Sequence, residues 1–180
     1  MPKENIERAI KKASDKNTDN FKEVLFEGYA PHGIAIMIET ATDNNNRTVA
    51  NVRSCFKKYN GRLGTSGSVE FMFDHVCNFR INAKEVNIED IELEFIDYGV
   101  EGVIEDDGCI LLYASFDNFG RIQKELEDRS LEIISSGFDR IPHITHKLLP
   151  EQREEVLNLI EKIEEDEDVQ NLYHTLDLQE

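Results

Sequence analysis

The stretch CNFRINAKEVNIEDIELEFIDYGVEGVIEDDGCILLYASFDNFGRIQKELEDRSLEIISSG, residues 77–137, decides the fold. CNFRIN has the apolar alternation of a strand, and a helical pattern follows from about Ile88 to Tyr98, where Gly99 stops it. GVIED and CILLYAS form a hairpin pattern across the turn Asp107-Gly108. A second helix is expected from about Asp117 to Asp128, and LEIISSG supplies the last strand. The order βαββαβ is that of a ferredoxin-like unit, two split βαβ halves making one four-stranded antiparallel sheet with both helices on one face.

Such a unit is complete in itself, so the strands before and after it must find each other. Upstream, FKEVLFEGYA and GIAIMIETA predict a strand pair turning at Pro31-His32. Asp43 or one of Asn44–Asn46 then caps a helix to about Tyr59, with Val49, Val52 and Phe56 on its apolar face. GRLGTSG is expected to be a loop, and SVEFMFDH a strand placing Val69, Phe71 and Phe73 on one side. Downstream, DRIPHITHKL is expected to be a strand, Pro150 to open a helix, and VQNLYHTL to close the chain as a strand. Residues 2–13 predict an amphipathic helix bearing Ile6, Ala9, Ile10 and Ala13, followed by a polar linker. The fold class is therefore α+β, with a ferredoxin-like domain inserted into a discontinuous one. The expected boundaries are 1–20 for the helix and linker, 21–74 with 137–180 for the discontinuous domain, and 75–136 for the insert.

At 180 residues and 39% hydrophobic the chain can bury a core. It has no apolar run long enough for a bilayer and no secretory leader, so a cytoplasmic protein without membrane contact is expected. Cys55, Cys77 and Cys109 form no Cys-x-x-Cys pair and suggest neither disulfides nor zinc. The net charge of −17 is unevenly spread. Residues 84–107 hold ten acids against one base and residues 150–180 eleven against two, which leaves the rest of the chain at +1. Within that rest, residues 44–63 carry Arg47, Arg53, Lys57, Lys58 and Arg62 with no acid. Phosphate binding needs a local cluster of cations, so this island is either a nucleic-acid surface or a solvated helix face. Arg53 and Lys57 are four apart and Arg62 follows in the loop, so these three can converge.

The run Glu164, Glu165, Asp166, Glu167, Asp168 opposes the negative end of a helix and is expected to terminate it. Its spacing lacks the alternation and turn glycine of a calcium loop, so a solvated face or a docking surface for a basic protein partner is expected ahead of a cation site. His143 and His146, three apart on an expected strand, would point to opposite faces and share no metal. His32, His75 and His174 are isolated, and the glycines of residues 61–67 lack the Lys-Ser/Thr of a phosphate loop. No nucleophile motif occurs. No catalytic residue, metal or cofactor is expected, and the chain is expected not to be an enzyme.

Six blocks, MPKENIERAIKKA, EGYAPHGIAIMIE, TDNNNRTVANVR, GRLGTSGSVEFMF, IDYGVEG and EDEDVQNLYH, closely resemble the YebC family in content and order. The resemblance implies three domains: a basic helical N-terminal domain, an α+β second domain, and a ferredoxin-like third domain inserted into the second. It implies regulation of gene expression, as DNA-binding transcriptional regulators in bacteria. Relatives include a mitochondrial translational activator of cytochrome c oxidase and proteins that help ribosomes through proline-rich stretches. In the family the MPKENIERAI block ends the helical domain, whereas here it carries Met1, so this chain is expected to lack that domain. The implied partner is nucleic acid, DNA or ribosomal RNA, engaged mainly through the absent domain.

Overall fold

A computed structural model describes residues 21–84 and 86–179; the helix and linker expected over residues 1–20 lie outside them. The elements run β1 (Lys22–Tyr29), β2 (Ala35–Thr42), α1 (Asn45–Lys58), β3 (Arg62–Leu63), β4 (Phe73–Asn82), α2 (Ile88–Phe95), β5 (Val100–Asp106), β6 (Cys109–Ser115), α3 (Phe119–Asp128), β7 (Ile133–Pro142), α4 (Pro150–Glu164) and β8 (Val169–His174). They fall into two units, residues 21–72 with 142–179, and Phe73–Ile141.

In the second unit the sheet order is β5-β6-β4-β7, with the first and third strands of the unit in the centre. This is the ferredoxin-like arrangement, and the fold class is α+β. Ile91 and Phe95 of α2 and Ile122 and Leu126 of α3 pack with Cys77, Phe79, Ile81, Ile110, Leu112 and Ala114. The strand contributions alternate as the pleat requires, and each fully buried large side chain stabilises the fold by about 1.5–3 kcal/mol. Gly99 ends the turn after α2 at φ 94°, where a Cβ would collide with the Asn118 side chain.

In the first unit the sheet order is β3-β1-β2-β8. Val24, Phe26, Ile36 and Ile38 face α1 through Val52 and Phe56, and face α4 through Val156, Leu159, Ile160 and Ile163. The α4 spacing i, i+3, i+4, i+7 is a single helical stripe. The other face of the sheet carries Glu27 opposite Met37, both buried. The Glu27 carboxylate accepts the backbone N–H groups of Gly67, Val69 and Glu70 at 2.6, 3.0 and 2.7 Å, and its carbonyl accepts that of Gly64 at 2.8 Å. Drawing these amides to one carboxylate curls the backbone, and the strand expected over residues 68–75 is corrected accordingly. Glu70–Met72 is a 3-10 turn, Val69 is buried, and Phe71 is 67% exposed. β4 begins at Phe73 and runs without a break into the segment CNFRIN.

The strand expected at DRIPHITHKL is also corrected. β7 ends at Pro142, which has no N–H to extend a ladder, and residues 143–149 are irregular. The His143 N–H donates to the Met72 carbonyl at 2.9 Å, and His146 forms an isolated bridge with Leu176. His143 and His146 therefore do not share a strand, and strand alternation does not set their directions.

The two stretches of the first unit are tied together by Asp168, whose side chain is 2% exposed. Its Oδ2 accepts from Thr48 Oγ1 at 2.9 Å and from Thr42 Oγ1 at 3.5 Å, and Arg47 Nη2 lies 3.2 and 3.1 Å from its two oxygens. Its carbonyl accepts the Ala41 N–H at 2.9 Å.

Replacing Asp168 with Ala removes a charged acceptor from buried hydroxyls, and urea unfolding is expected to show a loss of about 2–3 kcal/mol. Glu27→Ala strands buried amides and is expected to cost about 1–3 kcal/mol, with amide hydrogen exchange accelerating first at Gly67, Val69 and Glu70. His174 supplies a pH dependence. Burial holds its imidazole pKa below the ordinary value, and the Leu176 N–H donates to its Nδ1 at 3.2 Å. The unfolded chain gains a proton as pH falls through about 6.5 while the folded ring stays neutral, so stability declines from there to the lower folded-state pKa. His174→Gln is expected to flatten the urea-midpoint profile in that window relative to wild type.

Candidate nucleic-acid interface

The Asn44 side chain caps α1 by accepting the Arg47 N–H at 3.2 Å. Thr48, Val52 and Phe56 form the buried stripe, and at about 100° per residue the positions just after Val52 and Phe56 fall together on one flank. These are Arg53 and Lys57, one turn apart and exposed. Neither makes a hydrogen bond or ion pair within 4.0 Å among the described residues.

Arg47 and Lys58 lie on the opposite flank of the helix. Arg47 bridges Asp43 at 3.0 Å and Asp168 at 3.1 Å. The hydrogen bond that Arg47 donates to Asp168, and then the charge of that carboxylate, raise the guanidinium pKa above its ordinary value. Lys58 Nζ lies 5.7 Å from the Tyr59 ring centre. Cys55 on the same flank is pushed up in pKa by burial first and by the charge of Asp166 second, which places the acidic run beside this flank. The five cations of the sequence are thus divided. Arg47 is bound into the fold, Lys58 stands over the Tyr59 ring, and Arg53 and Lys57 occupy the flank turned away from that run.

Arg62 is exposed on β3, whose two residues pair with Gly28 and Tyr29 of β1. The pairing is close because Gly28 has no side chain: a Cβ there would stand 2.7 Å from the Arg62 carbonyl and 2.9 Å from the Phe56 ring. It also places Arg62 in a groove of about 530 Å³ with Tyr29, Pro31, His32 and Asn60. His32 holds φ 66° there, and its Nε2 is 2.9 Å from Glu155 Oε2. Tyr29 and His32 were not marked by the sequence, because their neighbourhood with Arg62 arises only from the β3–β1 pairing. The turn signals Pro31-His32-Gly33 and Asn60-Gly61 were its visible trace.

The acidic run does not form one surface. Glu164 is the last residue of α4, and Glu165 caps it while lying 2.9 Å from Lys162. Asp166 is half-buried and accepts the Asp168 N–H at 2.9 Å. Asp168 faces inward and is withdrawn from the docking surface expected of residues 164–168. Of that set, Glu164, Glu165 and Glu167 are exposed.

A family model described as the TACO1/YebC second and third domain matches residues 21–176. A protein of Flavobacterium psychrophilum named "Probable transcriptional regulatory protein" is 68% identical over 176 residues, covering 98% of this chain and 75% of that relative. A relative of the same name from Porphyromonas gingivalis is 56% identical over 98% of this chain and 73% of its own length. The crystal structure of a conserved hypothetical protein of Aquifex aeolicus superposes with a TM-score of 0.68 at 35% identity, over all of this chain and 75% of that one. This chain belongs to the TACO1/YebC family and spans about three quarters of the length of its relatives.

Proposed function

We propose that the protein regulates gene expression by binding nucleic acid, with Arg53, Lys57 and Arg62 contacting phosphates. The observation that carries this reading is the helix flank where Arg53 and Lys57 stand exposed without an acidic partner among the described residues, in a molecule of net charge −17. An ion pair already made must be broken before a phosphate can be bound, so unneutralised cations are the economical contact points. The names of the curated relatives favour transcription, and DNA is the target that this reading takes.

A second reading, binding to ribosomal RNA in translation, is favoured by the elements themselves. Among the described residues no pair of helices is joined by the short turn of a helix-turn-helix, so the elements that most often read a DNA groove are absent from these domains. Contact limited to phosphates suits a structured RNA at least as well.

Fluorescence anisotropy of the full chain against duplex DNA and against a structured RNA of equal length separates the two targets. The triple reversal Arg53→Glu, Lys57→Glu, Arg62→Glu is expected to abolish binding to whichever is preferred. Neutralising only Arg53 and Lys57 is expected to reduce the salt slope by about 2. Binding that is unchanged in the triple variant would overturn the proposal for this surface.

A further inference from the structure

A cavity of about 560 Å³ opens at the end of the second unit's sheet where β4 begins and β6 ends. Its wall includes Phe73, His75, Ser115 and Phe116, together with the carboxylates of Asp74, Glu101 and Asp117, and among the described residues no lysine or arginine lines it. Glu101 is the additional residue of a β-bulge, since Val100 pairs with Ala114 and Gly102 with Tyr113. The bulge turns the side chain out of the ladder. Glu101 and Asp117 are exposed and make no hydrogen bond or ion pair among the described residues.

The Phe116 ring of the wall is held by neighbouring rings. Phe116, 40% exposed, stacks on the His75 ring with centroids 4.0 Å apart and planes 12° from parallel. Phe138 lies 5.2 Å from Phe116 and 4.8 Å from Phe119, and Phe119 stacks on the buried Phe79 at 4.9 Å. An exposed ring held by a chain of rings reaching the core loses little freedom when a ligand meets it. An aromatic surface beside two unneutralised carboxylates selects a ligand that is both cationic and flat. A guanidinium meets both demands, stacking on a ring and donating in its plane to carboxylates, whereas an ammonium meets only the charge. The surrounding field has the same sign preference, for residues 73–141 hold seventeen acids against six bases.

We propose that this cavity captures an arginine side chain presented by a basic segment of a partner protein, its guanidinium stacking on Phe116 and donating to Glu101 and Asp117. The lining includes none of the cations singled out in the first unit and none of residues 164–168.

The test is anisotropy of the full chain with a labelled basic peptide carrying one arginine, its Arg→Lys counterpart, and an acidic control. The arginine peptide is expected to bind about tenfold more tightly than the lysine peptide, and the acidic control not at all. Paired Glu101→Gln and Asp117→Asn substitutions are expected to weaken arginine binding about tenfold. Phe116→Leu is expected to erase the preference for arginine over lysine, while Phe116→Tyr, which keeps the ring, preserves it. Equal binding of the two basic peptides would overturn the proposal, as would arginine binding indifferent to the paired carboxylate substitutions. Absence of binding by either basic peptide would overturn it as well.

Discussion

One buried carboxylate pins the two stretches of the discontinuous domain to each other. Asp168 follows the insert, and its partners Thr42, Arg47 and Thr48 precede it by about 120 residues. A charge this deeply buried is tolerable only when its oxygens are filled with donors, and here two hydroxyls and a guanidinium fill them. That requirement fixes three things together: the end of β2, the first turn of α1, and the turn from α4 into β8. The apolar stripe of α4 can then settle beside α1 on one face of the sheet.

The same interaction decides which cations of the basic segment stay outside the fold's own ion pairs. Once Arg47 is committed to Asp168, the basic segment is left with the exposed flank of Arg53 and Lys57, with Lys58 on the other side of the helix, and with Arg62 on the edge strand. One short cationic stretch thus supplies both the buried ion pair and the cations proposed to meet phosphate. The acids are similarly divided. Asp168 is a structural acceptor inside the first unit, Glu27 organises the loop before β4, and Glu101 and Asp117 face solvent in the second unit.

Most of the architecture was legible in the sequence, because it rests on local periodicity and punctuation. Alternation in CNFRIN and CILLYAS, the stop at Gly99 and the Asn cap of α1 are statements about neighbours in the chain, and the βαββαβ order follows from them. What was not legible depended on partners far away. Nothing in residues 164–168 distinguishes Asp168 from four other carboxylates, since its hydroxyl partners lie in β2 and α1. The 3-10 turn at Glu70–Met72 depends on a glutamate more than forty residues earlier, and the alternation of Val69, Phe71 and Phe73 pointed the wrong way. β3, with two residues, is too short to carry any pattern. The family resemblance was legible because six short blocks agreed in order, although no one of them is specific alone.

The hydrogen bond between the His143 N–H and the Met72 carbonyl bears on how such a chain can be assembled and altered. It joins the two points at which the chain leaves the first unit and returns to it, and within the second unit β4 and β7 are neighbours whose outer ends coincide with those points. Each unit therefore has its own termini side by side. The entropy of closing a loop grows only logarithmically with the residues enclosed, so lengthening or shortening the excursion between Met72 and His143 changes the cost of closure little. At this junction a module can be exchanged without asking the host sheet to rebuild itself, and a domain nested inside another is what such tolerance leaves behind.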